Sequence, residues 1–376
     1  MDSSPLSTAE QAEAKRYGRQ KLYCALADKV LDLAVLAVLA FVAARPIDAW
    51  LGRAEILARY DSLRLVAMVL VVAAVQLVVG LPLSFYCGYV LERSFGLSTL
   101  TPGRWLKRFA GRNLLELALG VALVLGLYWI IWTTGSAWWL VAAAAFFAVS
   151  VVLGQLAPVL IVPLFYKVQR LDEPELIDRI RRLAEGTGLG IQGVYRIALS
   201  QETRKGNAVL TGLGRTRRVL LGDTLLANFS PEEIEVVFAH EIGHHVFHHI
   251  RRLLVIGAFA SAAGFWLADR ILALWVAWQG GPAQRSALPV WTLPAIMLIL
   301  GLFSTLLEPL GNTLMRHFER QADRYALRRT GLRDPFQSAF RKLARLNKAD
   351  TDPPWLEVVL FHSHPPISER LKESEK

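Results

Sequence analysis

Ser230-Pro231-Glu232-Glu233-Ile234-Glu235-Val236-Val237-Phe238-Ala239-His240-Glu241-Ile242-Gly243-His244-His245 is the stretch on which the rest of the chain turns. Ser230 can cap a helix, Pro231 suits the first helical position, and Glu233 can reach back to complete a capping box. A helix running through Ile234, Val237, Phe238 and Ile242 puts His240 and His244 one turn apart on one face. Two imidazoles so placed can grip a zinc ion, and Glu241 beside them can take a proton from zinc-bound water. His245, His248 and His249 offer further pairs at the same spacing, 244/248 and 245/249, but only the 240/244 pair carries the glutamate.

Working outward, the chain is too apolar for an ordinary soluble domain: 376 residues, 53% hydrophobic, mean hydropathy +0.35. The apolar residues come in blocks. Leu65 to Val90 and Leu117 to Tyr166 hold no charged residue, and the second run is long enough for two crossings around Thr133-Thr134-Gly135-Ser136. Further spans are expected at about 30–46 (which holds Asp32), about 253–277 (interrupted by Asp269-Arg270) and about 288–307, giving about six helices. The polar Met1–Lys29 segment makes the first span an uncleaved anchor rather than a signal peptide. Pro82, Pro158 and Pro163 are expected to kink their helices. Cys24 and Cys87 have no CxxC partner, so neither a disulfide framework nor a cysteine metal site is expected.

Lys15, Arg16, Arg19, Lys21 and Lys29 of the amino terminus and five basic residues of the 91–112 loop fall on one side of such a bundle, together with the 165–251 segment. The Lys/Arg bias makes that side cytoplasmic. The net charge of +10 then reflects loops beside anionic lipid, and no motif supports nucleic-acid binding. Four parts follow: an amino-terminal membrane domain at 1–164 with about four helices, a cytoplasmic part at 165–251 with the His-Glu helix, two membrane helices at 252–311, and a carboxyl-terminal part at 312–376.

In the cytoplasmic part, 173–185 reads as an amphipathic helix and 194–199 as a strand. Asn207–Thr211 and Arg218–Leu221 read as a hairpin around Gly212-Leu213-Gly214-Arg215-Thr216. That hairpin is either a plain packing element or an edge strand for an extended peptide. A third metal ligand should come from a separate segment on the same side. Glu319 and Asp323 stand one turn apart on a helix continuing from the last span; a cation on Glu319, with Asp323 accepting from a ligand histidine, would relieve their repulsion. The competing reading has Arg316, Arg320 and Arg324 neutralising both acids on a solvated face, and His317 is another possible ligand. In Phe361-His362-Ser363-His364-Pro365, His362 or His364 could donate to an oxyanion, before a short helix at 368–372.

The chain resembles the membrane zinc metalloproteases of the M48 class, most of all the Ste24-type CAAX prenyl proteases. His240–His248, Glu319-Arg320-Gln321-Ala322-Asp323, Ser363-His364-Pro365, Gly206-Asn207-Ala208, Gly222-Asp223-Thr224-Leu225-Leu226 and Phe95-Gly96-Leu97 carry the resemblance, in the family's order. It implies a mainly α polytopic membrane protein in which helices around a chamber are capped by a zincin-like α+β metalloprotease domain. It implies one Zn2+ per chain on His240, His244 and Glu319, water activation by Glu241, and support from Asp323. It also implies substrate pairing at Asn207 and Ala208, and oxyanion stabilisation by His364 with help from Arg370. The partners implied are the bilayer and a peptide or protein substrate, prenylation left open. The Arg- and Ala-rich composition points to a bacterial inner membrane. Departures are a missing second helix, Leu97-Ser98 for the family's Phe-Asn, and Thr203-Arg204-Lys205 for a serine-rich segment. The expected function is a membrane zinc endopeptidase. The alternatives are an HtpX-like quality-control protease and, from another class, a metal transporter or helical scaffold, for which Asp269, Arg270 and Glu308 would mark a path.

Overall fold

The computed structural model describes residues 4–211 and 218–375; the expected turn at 212–216 lies outside them. Within lipid every backbone polar group must be satisfied inside its own segment, and the charge-free runs accordingly form long helices. They are α1 (Thr8–Val38), α2 (Asp61–Phe85), α3 (Pro102–Thr134) and α4 (Trp138–Leu156). Five continuous helical stretches among the described residues are long and apolar enough to cross a membrane. One of these, the 64-residue run Pro102–Phe165, doubles back, because Gly135 adopts a positive φ of 54° that only glycine takes easily. As a result Gly111, early in α3, faces the ring of Phe165 beyond α4, and Arg108 stacks on Phe165 and Tyr166. Pro82 stands just before one wide helical turn, Tyr86–Val90, and Pro158 lies inside another, Ala157–Ile161.

After the first four long helices the chain continues with β1 (Val168–Arg170), α5 (Pro174–Ala184), β2 (Gly193–Ile197), β3 (Ala208–Thr211), β4 (Arg218–Gly222) and α6 (Pro231–Val246). Two further long helices follow, α7 (His249–Trp278) and α8 (Leu293–Thr330), then α9 (Arg333–Asn347), α10 (Trp355–Phe361) and α11 (Ile367–Ser374). The long helices close a ring: α1 packs on α2, α2 on α3, α3 on α4, α4 on α7, α7 on α8, and α8 on α1. A cavity of about 370 Å³ opens between α1, α2, α3 and α8, with Asp32, Gln76, Asn113 and Glu116 among its lining residues. The charges that could have marked a transport path are paired. Asp269, 2% exposed, accepts from Trp138 Nε1 at 2.7 Å and Arg285 Nε at 2.9 Å, and Glu308 pairs with Lys29.

One expectation needs correction. Cys24 and Cys87 are joined as a disulfide between α1 and the turn after α2; a crossing of helices 63 residues apart leaves no spacing signal. α1 starts well ahead of the expected span, at Thr8, where Ser7 and Glu10 form a capping box. The early turns of α1 dock on the end of the helix Arg333–Asn347: Glu10 accepts from Arg345 Nε at 2.7 Å, and Glu13 accepts from Lys348 Nζ at 2.5 Å. Glu92 gathers Tyr17 Oη at 2.7 Å and Lys205 Nζ at 2.9 Å, and Leu97 accepts from the backbone of Arg204. The Phe95-Gly96-Leu97 motif is therefore a membrane-side segment that braces the approach to β3.

The sheet has the order β1-β2-β4-β3, with β2 and β4 parallel and the outer pairs antiparallel. Leu176 and Ile180 of α5, Val219 and Leu221 of β4 and Phe238 of α6 share one core. β3 is left as an edge. At the other side of α6, Gly243 meets α8 so closely that a Cβ there would lie 2.8 Å from Ala322 Cα. Glycine at this position lets the two helix backbones touch.

Candidate metal centre

α6 begins as its sequence dictates. Ser230 Oγ accepts from Glu233 N at 3.3 Å, and Glu233 accepts in return from Ser230 N at 2.7 Å. Lys342 Nζ also reaches Glu233, at 2.8 Å, which fixes the buried start of the helix. The helix ends at Val246, and His248 takes a positive φ of 59° before α7 restarts at His249. That break removes the 244/248 and 245/249 pairs from any common helical face. His240 and His244 remain on one.

Because α6 and α8 touch at Gly243, Glu319 is brought under both rings. His240 Nε2 lies 3.2 Å from His244 Nε2, and each is 3.3 Å from an oxygen of Glu319. For ligand bonds of roughly 2.0–2.2 Å, the edge of a tetrahedral shell is roughly 3.3–3.5 Å, so the two ring nitrogens and the Glu319 carboxylate, which meets His240 through Oε2 and His244 through Oε1, suit one first-row metal ion. Glu319 is 3% exposed, and its Oε2 is buried with no hydrogen-bond partner. A buried carboxylate oxygen in that state costs free energy unless a cation meets it. His240, His244 and Glu319 are the one such ligand group among the described residues.

Behind the ligands, His240 Nδ1 donates to Asp323 Oδ1 at 2.9 Å. Arg370 binds the same carboxylate through two atoms, Nε to Oδ2 at 2.8 Å and Nη2 to Oδ1 at 2.5 Å. Burial alone would push the His240 imidazole down, but its bond to Asp323 and the Glu319 carboxylate beside it raise it to about 10, so the pocket favours positive charge at this ring. Arg370, 8% exposed, is committed to Asp323 and stands 3.7 Å from Glu319. Arg316, Arg320 and Arg324 do not neutralise Glu319 and Asp323. They tie α8 to the tail: Arg316 donates to the carbonyls of Val358 and His362 at 2.7 and 2.6 Å, Arg320 to Glu369 and Arg324 to Glu373, both at 2.7 Å.

His240, Glu241 and Glu319 open with Asn207, Ala208 and His364 onto one cavity of about 680 Å³. His364 Nε2 is 3.6 Å from Glu319 Oε1; partial loss of water around the ring in the cavity and the nearby Arg370 hold its pKa down, partly offset by Glu319. Gly222 N donates to Asn207 O at 2.9 Å, and Val209 faces Leu220. By the antiparallel alternation, Ala208 and Leu210 then turn their backbone groups to the free edge, and Leu210 N lies 3.5 Å from Glu241 Oε2. His317 and His362 stand apart from the metal group; His317 accepts from Gln321, and His362 pairs with Glu357. Tyr17, Gly18, Lys21 and Asn347 also line the cavity and were not anticipated. Ser7-Thr8-Ala9-Glu10, a capping box, is the sequence signal that could have placed α1 there.

Comparison with known proteins gives these features a family. The N-terminal CAAX prenyl protease profile, described with five membrane helices, matches residues 3–167. Over those residues this chain builds four long helices, and two short ones, Ala44–Leu51 and Glu55–Arg59, stand between the first and second. The metalloprotease YhfN of Bacillus subtilis, itself uncharacterised, is 28% identical over 376 residues, covering 100% of this chain and 87% of that protein. CAAX prenyl protease 1 of Saccharomyces cerevisiae is 29% identical over 332 residues, covering 80% of this chain and 69% of its own. The crystal structure of S. mikatae Ste24p shares the fold, with a TM-score of 0.84 at 24% identity over 98% of this chain and 89% of that one. With the family profile matched from residue 170 to residue 376, across the sheet, the His-Glu helix and its glutamate partner, this chain belongs to peptidase family M48.

Proposed function

We propose that this multi-pass membrane metalloprotease is a zinc endopeptidase of the CAAX prenyl protease type, with its catalytic part on the cytoplasmic side of a bacterial inner membrane. In this reading residues 1–164 and 252–311 form the membrane ring, and 165–251 with 312–376 form the catalytic cap. His240, His244 and Glu319 hold one zinc ion, which when bound supplies Lewis acidity and makes water a nucleophile near neutral pH. A peptide adds to the free edge of β3 through the backbone of Ala208 and Leu210, flanked by Asn207. Glu241, beside that edge, takes the proton of the attacking water and passes it to the leaving amine. His364 donates to the oxyanion. Asp323 fixes the His240 ring, and Arg370 keeps Asp323 ionised.

The observation that carries this is the convergence of His240, His244 and Glu319 on one point, with Glu241 and an unpaired strand edge facing the same cavity. The YhfN and CAAX protease relatives and the six-helix ring favour this branch over an HtpX-like enzyme. Purified protein should cleave peptides, lose cleavage with a chelator and regain it with zinc. Prenylated and unprenylated versions of one peptide, compared by mass spectrometry, decide the substrate class.

A further inference from the structure

His244 has a neighbour that neither the family motif nor the metal geometry assigns. Its Nδ1 lies 2.9 Å from Nδ1 of His249. On a continuous helix a residue five positions on would stand about 140° away around the axis. The left-handed turn at His248 swings His249 back toward α6 instead. There it is 1% exposed and stacks on Phe318, ring centroids 4.1 Å apart and planes 10° from parallel. Its Nε2 faces Gln321 Oε1 at 2.9 Å, and Gln321 Nε2 faces the exposed His317 Nε2 at 3.1 Å.

We infer that His249 is a positioning residue that fixes the tautomer and the ring angle of His244 for metal binding. The inference rests on the metal-site reading above. A histidine ligating through Nε2 carries its proton on Nδ1, so His244 donates to His249 Nδ1. His249 must then carry its own proton on Nε2, which donates to Gln321 Oε1. The Gln321 amide nitrogen is left to donate to His317. One assignment satisfies all four groups and leaves His244 Nε2 free to accept a metal, as the bond to Asp323 does for His240 Nε2. His240 has Asp323 in the equivalent place, so the two histidine ligands are oriented differently: one by an anion, the other by a neutral imidazole. A neutral partner holds the ring without adding a further negative charge to a pocket that already contains Glu319 and Asp323.

The test is zinc affinity of the purified full chain, measured by chelator competition, together with the visible spectrum of the Co2+ form. His249→Phe keeps the stacked ring and removes the acceptor; His249→Asn keeps an acceptor near Nδ1 and removes the ring. The Phe variant should bind zinc about 10–100-fold more weakly with an altered Co2+ spectrum, whereas the Asn variant should stay within about threefold of the parent. Should the Phe variant fail to fold, Asn is compared with His249→Ala, and the same tenfold gap is expected. Equal affinity in parent and Phe variant, or equal loss in Phe and Asn (or Ala and Asn), overturns the inference while leaving the metal site intact. A parent protein that binds no zinc overturns both.

Discussion

α8 holds its two halves in place by opposite means. Its first half, in the membrane ring, packs Leu293, Ile296 and Ile299 into a broad apolar core in which no single side chain dominates. Its second half buries Arg316, Glu319 and Asp323 within two turns, and each depends on a few specific polar partners. Apolar packing degrades gradually, by about 1–3 kcal/mol per altered side chain. A buried charge that loses its partner is penalised at once. The ring is therefore the tolerant region and the α6–α8 contact the brittle one, although a single helix serves both.

The largest expected effect sharpens that contrast without touching stability. Glu241→Gln should lower peptide cleavage by about 10²–10⁴-fold, with zinc content and thermal unfolding unchanged, since Glu241 lies in the open cavity and is not part of the buried charge set. Asp323→Ala comes next: it strands the Arg370 guanidinium and should cost about 3–5 kcal/mol in unfolding experiments in detergent. A pair of glycine variants tests the comparison directly. Gly243→Ala presses a methyl against the Ala322 backbone and should cost about 1–3 kcal/mol and loosen zinc. Gly120→Ala in α3 meets nothing within 4 Å and should change stability by no more than about 1 kcal/mol. Equal costs at the two glycines would break the contrast.

The smallest effect concerns Asp223, at the join of β4 and the next helical turn. Burial opposes its ionisation, but Ser200 Oγ at 2.6 Å and the backbone N–H groups of Ser200 and Leu199 at 2.9 and 2.8 Å outweigh it and lower its pKa. Its contribution is therefore full above the unfolded value, about 3.9, and is lost as pH falls through the lower folded value. Thermal unfolding from pH 6 to pH 3 should show that loss, and Asp223→Asn should flatten the profile.

The sequence carried the α6 start, its metal face and the apolar spans because these are set by local chemistry: a capping box, a four-residue spacing, runs without charge. Residues 319 and 323 were legible only as candidates. Spacing along α8 favoured the arginines as their partners, and only the tertiary path, with Glu369, Glu373 and two carbonyls waiting in the tail, shows why those arginines are occupied elsewhere. The Cys24–Cys87 pair and the Glu92 cluster were hidden for the same reason, being crossings between distant segments. α9 is amphipathic, with Phe336, Ala339 and Phe340 buried, and its period could have been recognised. The role of His249 could not, because it depends on a helix break at His248 that no glycine or proline announces.

Zinc-edge anomalous diffraction from crystals of the purified chain tests the central claim most directly. The account predicts one zinc peak per chain, within bonding distance of His240 Nε2, His244 Nε2 and a Glu319 oxygen. A peak centred on other histidines such as His245, His248 or His317, or none in protein that still cleaves peptides with a chelator present, would contradict it.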